Sequence, residues 1–417
     1  MKKFLICLCA TALLTACHKS DDGPDEPVVA ERTVLVYMSG ENNLTSFAES
    51  DISEMTEGIK SVSGQNNLVV FVDRASKTET PFIARIRNDK KQPVDTLYKY
   101  AQDFYCSDPD NFREVITRTV GLCPAKSYGL VLWGHANGWI IENSTQSATA
   151  PRRAYGIDNG DNTSASRWTQ PSLWLDIPDM RKAMEQLPFK WKFIFSDCCN
   201  MQNAELAYEL RNVAEYLIAS PAEITGVGAP YNTIVKDFFY SNDEDMYQGI
   251  CDDYYAQVTH EMKAGDEHLP ISVVKTSEME ALAAATQAIL PQIAEYIAQS
   301  GAMDGIVYYF NYVSGRPARE RVMYDMQSVI MKALETNPTT YQQWYAAFTK
   351  AVIYVRKSVY WHANCVNFDT FTTTEDEQGV MSMFFPLSQY ESTLYKYNEL
   401  MKQLQWYQAV GWSSVGW

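Results

Sequence analysis

Two short stretches carry residues that can do chemistry together. In "KFIFSDCCNMQ" an apolar run ends in Asp197, Cys198 and Cys199, and in "YGLVLWGHANGW" another ends in His135. A thiolate attacks carbonyl carbon well, and an imidazole can take up the thiol proton and return it to a leaving amine. Open α/β sheets gather their ligands at the carboxyl ends of strands. If these two runs are neighbouring strands, a histidine and a cysteine face one crevice. A cysteine opening the helix that follows would also have its thiolate favoured by the helix dipole. The bland alternatives are a cysteine used as a small buried apolar residue and a histidine used for packing. Sequence neighbours such as Cys198 and Cys199 bridge only under strain, so the pair reads as two thiols.

Other chemistry finds less support. "HEMKA" at 260–264 lacks the second histidine of a zinc-protease helix. There is no G-x-S-x-G elbow, P-loop or dinucleotide-binding glycine fingerprint. His362 stands three residues before Cys365 in "WHANC", but two ligands do not make a metal site. The nine cysteines show no C-x-x-C spacing and are too sparse for a disulfide scaffold. No metal centre and no cofactor are therefore expected, and the need for calcium is left open.

The elements that must position these residues are legible as alternation. Residues 33–39, 67–74, 128–134, 192–197 and 215–220 are β-rich and apolar on both faces, as buried parallel strands are. Residues 81–87 alternate and suit a hairpin or edge strand. Helical spacing fills 44–60, 110–123 and 201–216 between them. The pattern predicts an α/β sandwich with a mostly parallel sheet. Residues 144–171 are polar with Gly and Asn punctuation and read as a long loop containing an exposed "PRR" at 151–153. Beyond about residue 265 the chain reads as mostly helical, interrupted by apolar runs at 271–276 and 379–386 that would add to the sheet. The division expected is thus a core at 31–265 and a C-terminal, mainly helical subdomain at 266–417.

Hydrophobic residues make up 46% of the 417, enough for a large core. The formal charge is −16, and removing residues 1–17 takes away Lys2 and Lys3 and no acid, leaving about −18. Nucleic acid and anionic membrane surfaces are poor partners for such a chain. The N-terminus reads as a targeting segment: two lysines, an apolar run at 4–14, then "LTAC" ending in Cys17. Small residues before a cysteine resemble the bacterial lipobox, which makes residues 1–17 a signal peptide and Cys17 a lipidated anchor. Residues 18–30 are acidic and Pro-containing, a flexible tether. Acid after a lipidated cysteine resembles the surface-export signal of Bacteroidetes lipoproteins, so an outer-membrane, surface-exposed location is expected.

Taken together, "VLVYMSGENNLTSFAESDISEM", "LVLWGHANGW", "FSDCCNMQNAELAYELRNVAEYLIASPAEITGVGAPY" and "GVMSMFFPLSQY" resemble, in order, the segments of clostripain-type (C11) cysteine peptidases. The resemblance implies a caspase-like α/β/α fold and a secreted endopeptidase that cleaves polypeptides through a His/Cys dyad. The family's nucleophile is the third residue of Asp-Ala-Cys. Matched residue by residue, Asp197 is the aspartate, Cys198 replaces the alanine and Cys199 is the nucleophile, with His135 the family histidine. The usual His-Gly is here His135-Ala136. The resemblance implies that the Ala136 and Cys199 amides form the oxyanion hole. It also implies cleavage after Arg or Lys through acids in the first pocket. Asp197 matches one of these, and "ITGVGAPY" carries no second. Such an enzyme would be expected to cut its own Arg152 or Arg153. The alternative is a catalytically inactive relative that binds peptides or another ligand at the cell surface.

Overall fold

Among the described residues, the runs that are apolar on both faces form the middle of one nine-stranded sheet. The computed structural model describes residues 29–141, 154–160, 173–261, 269–299, 303–311, 321–358, 361, 377–392 and 396–417. Its strands are β1 (Ala30–Gly40), β2 (Asn66–Arg74), β3 (Phe82–Ile86), β4 (Val94–Lys99), β5 (Ala125–Trp133), β6 (Tyr155–Asp158) and β7 (Leu173–Leu175). They continue with β8 (Trp191–Asp197), β9 (Ala214–Ala219), β10 (Ile271–Lys275), β11 (Tyr308–Asn311), β12 (Arg321–Asp325), β13 (Val352–Arg356) and β14 (Ser382–Met383). The main sheet runs β13-β10-β9-β8-β5-β1-β2-β3-β4. Its centre, from β9 through β8, β5 and β1 to β2, is parallel. The flanking strands β3, β4, β10 and β13 are antiparallel.

Helices cover both faces. They are α1 (Thr45–Gly58), α2 (Pro109–Leu122), α3 (Ile177–Glu185), α4 (Ala204–Glu209), α5 (Tyr231–Ile234) and α6 (Asp243–Glu261). After β10 come α7 (Met279–Ala288), α8 (Leu290–Ala298), α9 (Met326–Ala333), α10 (Pro338–Ala351), α11 (Tyr397–Leu400) and α12 (Gln405–Val410). Side chains alternate along a strand, and here both sets are apolar. Val34, Val36, Phe193 and Phe195 pack with Met55 of α1 and Tyr254 of α6 on one face. Leu35, Tyr37, Leu132 and Ile194 pack on the other with Phe112 of α2, Leu206 of α4, Leu282 of α7 and Trp406 of α12. The arrangement is a three-layer α/β/α sandwich, and the second cluster draws side chains from before and after residue 265. Among the described residues, no helix is long and apolar enough to cross a membrane.

Several expectations need correction. The 144–171 stretch is not structureless throughout, because β6 lies within it and all four of its residues are buried. Helical spacing at 201–216 yields only α4 and a short 3-10 turn before β9 begins at Ala214. The helical reading of the chain beyond residue 265 fails after Ala351, where α10 ends and the β-branched run of β13 takes over at the sheet edge. The apolar run at 379–386 does not join the main sheet. Two of its residues form β14, which pairs with β12 in a separate three-stranded sheet β11-β12-β14.

Candidate active site

Strands β5 and β8 are parallel neighbours, with Trp133 and Asp197 as register partners. His135 and Cys199 therefore each stand two residues beyond one register pair, on strands about 4.8 Å apart. The histidine turn is held from two sides. His135 Nε2 lies 2.8 Å from Oδ1 of Asn43, which sits in the turn between β1 and α1. An amide oxygen only accepts, so Nε2 donates and Nδ1 keeps its lone pair. The backbone is held by the β6 segment. Gly156 N–H donates to the His135 carbonyl at 2.8 Å, and Asn137 N–H donates to that of Ala154 at 2.9 Å. Ala136 forms an antiparallel bridge with Tyr155 between them. Burial pulls the His135 imidazole down to about 4, so the ring is neutral at physiological pH. Ala136 is not among the residues with positive φ, so its methyl group imposes no left-handed strain on the turn.

The two cysteines have different surroundings. Cys198 is fully buried and its thiol donates to the Leu132 carbonyl at 3.0 Å. Burial first, and then the charges of Asp197 and Cys199, hold that thiol well above its ordinary value. Cys199 is half-buried, and its Sγ accepts from the Ile224 amide at 3.4 Å. The expected helix start at the cysteine is not found. Asn200 adopts a left-handed conformation (φ 59°), and Asn203 caps α4 by accepting from Leu206 N–H at 2.9 Å. The helix thus begins five residues after Cys199 and has six residues, too far and too short for its dipole to act on the thiol. The two turns pack backbone to backbone. Gly138 has φ +62°, and a Cβ there would lie 2.4 Å from the Asn200 carbonyl oxygen.

Asp197 is buried beneath the cysteine turn. Its Oδ2 accepts from Ala229 N–H at 3.1 Å and Tyr231 O–H at 3.0 Å, and its Oδ1 from Tyr254 O–H at 3.2 Å. Burial raises it to about 6, against the pull of these three donors. Helix α1 brings two further acids to this region. Asp51 accepts from Trp133 Nε1 at 2.6 Å and is raised to about 8 by burial and by the charge of Asp197. Glu54 accepts from the Tyr231 amide at 3.0 Å and adds its charge to the field at Asp197. Sequence reading singled out neither of them, nor Asn43, Tyr231 or Tyr254. The segment after the cysteines is fixed from the C-terminus: Ser382 N–H donates to the Gln202 carbonyl at 3.0 Å, and Phe384 N–H to Glu205 Oε1 at 2.8 Å. Cys17, Arg152, Arg153, His362 and Cys365 lie outside the described residues.

A central parallel sheet between helical layers, with a histidine and a cysteine beyond adjacent strands, defines the class of caspase-like cysteine peptidases. The comparisons narrow this. The model of the clostripain family (Peptidase_C11) matches residues 36–417, and the chain belongs to that family. A secreted C11 cysteine protease from Bacteroides thetaiotaomicron, solved with an irreversible peptide inhibitor, is similar at 29% identity and TM-score 0.75. The match covers 92% of this chain and 100% of that one. An inactive zymogen C11 protease from Parabacteroides distasonis shares the fold at 24% identity and TM-score 0.70, over 92% of this chain and 99% of that one. No curated protein matches. The chain is a cysteine endopeptidase of clostripain type.

Proposed function

We propose that the enzyme hydrolyses peptide bonds through Cys199 and His135, after Arg or Lys. The observation that carries this is the β5–β8 register, which sets the two residues at matching steps past neighbouring strand ends, with Cys198 turned into the core. Cys199 Sγ gives its proton to His135 Nδ1 and attacks the scissile carbonyl carbon. The oxyanion that forms accepts from the Ala136 and Cys199 amides. Collapse breaks the C–N bond, and the imidazolium returns its proton to the leaving amine. Water, deprotonated by the neutral imidazole, then hydrolyses the thioester and frees Cys199. For a basic P1 side chain, Asp197 supplies negative charge from beneath the cysteine turn, with Glu54 of α1 contributing to the same field. The lipobox-like "LTAC" supports secretion and a lipid anchor at Cys17, with the protein on the outer membrane facing outward.

The test uses an acyloxymethyl ketone carrying P1 Arg, beside one carrying P1 Ala. Cys199→Ala is expected to abolish labelling and turnover, and Cys198→Ala to leave most of both. The reverse pattern would remove Cys199 from the role. His135→Ala is expected to lower turnover by roughly 10² to 10⁴.

A further inference from the structure

A cysteine nucleophile acts as its thiolate, and a thiolate needs something to favour it. Helix α4 starts too late to help. The titratable groups around the sulfur are Asp197 and Cys198 on its own turn, Glu223 on the loop between β9 and α5, Tyr254 on α6, and His135 across the cleft. With the His135 ring neutral, none of these is a cation at physiological pH. The loop brings a different kind of group. Beyond β9 the chain runs antiparallel to the segment after the nucleophile: Gln202 N–H donates to the Ser220 carbonyl at 3.0 Å, and Asn200 N–H to that of Ala222 at 2.9 Å. Each step moves two residues along both segments, in opposite directions, so the next rung falls at Cys198 and Ile224. At that rung the Ile224 N–H is directed at Cys199 Sγ, 3.4 Å away. The other end of the loop is fixed on Asp197. Ala229 N–H donates to its Oδ2 at 3.1 Å, and Gly228 N–H closes a turn onto the Thr225 carbonyl at 3.0 Å.

We propose that the backbone amide of Ile224 is a catalytic group, the donor that holds Cys199 as a thiolate; this rests on Cys199 being the nucleophile. When Sγ gives its proton to His135 Nδ1, the Ile224 N–H keeps its own proton and donates to the lone pair left on sulfur. A hydrogen bond to an ionised acceptor is roughly twice as strong as one to a neutral acceptor, so the contact favours thiolate over thiol. Once the C–S bond forms, the sulfur carries no charge and the advantage lapses. It returns when hydrolysis of the thioester releases the thiolate. The Ile224 carbonyl lies 3.9 Å from the same sulfur, on the side of the thiol proton. Because the loop is anchored at both ends, the donor is in place before the charge appears.

The test reads the thiol itself and not proteolysis. The full chain is alkylated with iodoacetamide over a pH series, and the rate at Cys199 is followed by tandem mass spectrometry of its peptide. Ile224→Pro removes the N–H and keeps the carbonyl. The midpoint of its rate against pH is expected to lie about one unit or more above wild type, the size of losing a hydrogen bond to a charged group. Ile224→Ala, which keeps the N–H, should retain the wild-type midpoint. If Ile224→Pro does not fold by circular dichroism, Gly228→Ala carries the same expectation. Gly228 has φ +71°, and a Cβ there would lie 2.9 Å from Asp197 Oδ2, so the substitution pushes the loop off the sulfur. An unmoved midpoint in the folded variant overturns the proposal. So does an equal rise in Ile224→Ala, which would place the effect in the side chain. Hydrolysis that persists in Cys199→Ala would instead remove the proteolytic role of Cys199, whatever the midpoints show.

Discussion

At the scale of single residues, the environment of His135 makes a pH prediction with a definite sign. Its folded value of about 4 lies below the ordinary 6.5, so the unfolded chain binds the proton more readily. The stability that comes from keeping the ring neutral is present above about pH 6.5 and is lost as pH falls towards 4. Replacing its partner in Asn43→Asp sets a carboxylate against Nε2 and favours the imidazolium. The acid limb of kcat/KM should move to higher pH in that variant, and an unmoved limb would show that Asn43 does not set the ring's protonation. Asp197 behaves in the opposite sense. Raised to about 6, it loses its charge as pH falls through that value. The ratio of kcat/KM for P1 Arg over P1 Ala should therefore drop between pH 7.5 and pH 5. A constant ratio would detach basic selectivity from Asp197. The cysteines, Asp197 and His135 were legible because they close apolar runs. Asn43, Tyr231 and Tyr254 were not, because their meaning comes from folding distant segments onto the strand ends.

At the scale of elements, the site depends on two turns in close backbone contact. Gly138→Ala would force a side chain into a left-handed conformation and against the Asn200 carbonyl. A cost above about 1 kcal/mol is expected. Melting temperature and turnover should fall together, and an active, unshifted Gly138→Ala would show that the turns are not coupled this way. The parallel strands were readable because burial on both faces leaves an apolar run with clear ends. Strand β6 was not, because its four residues sit among polar and glycine-rich neighbours and are fixed by bonds to the His135 turn. The short α4 was misjudged for a different reason. Asn203 is a good capping residue, and reading it as the helix start would have separated the cysteines from the helix.

At the scale of the molecule, the C-terminal part completes the same core as the strand-end turns. Trp406 and Trp412 are each 1% exposed and belong to the cluster containing Leu132 and Ile194, while Ser382 and Phe384 bond to the segment after Cys199. Each buried tryptophan removes roughly 150–250 Å² from water, and domains are stable by only about 5–15 kcal/mol. A chain ending at residue 376 should thus fail to fold, rather than survive as a trimmed enzyme. Circular dichroism and a melting curve check this, and a cooperative transition in that fragment would contradict it. The mainly helical character of the C-terminal part was visible from the sequence. That it shares a core with β5 and β8 was not, since periodicity reports that a face is buried but not against what.

The contrast between the two adjacent thiols makes the molecule able to report its own condition. Of the described cysteines, Cys106, Cys123, Cys198 and Cys251 are buried and Cys199 is accessible. Mild peroxide should therefore oxidise Cys199 first, and Cys198, turned away towards Leu132, is poorly set to rescue it as a disulfide partner. Oxidative stress would then silence the enzyme without unfolding it. Turnover should vanish while the melting curve stays in place, and a thiol reductant should restore activity as long as oxidation has stopped at the sulfenic acid.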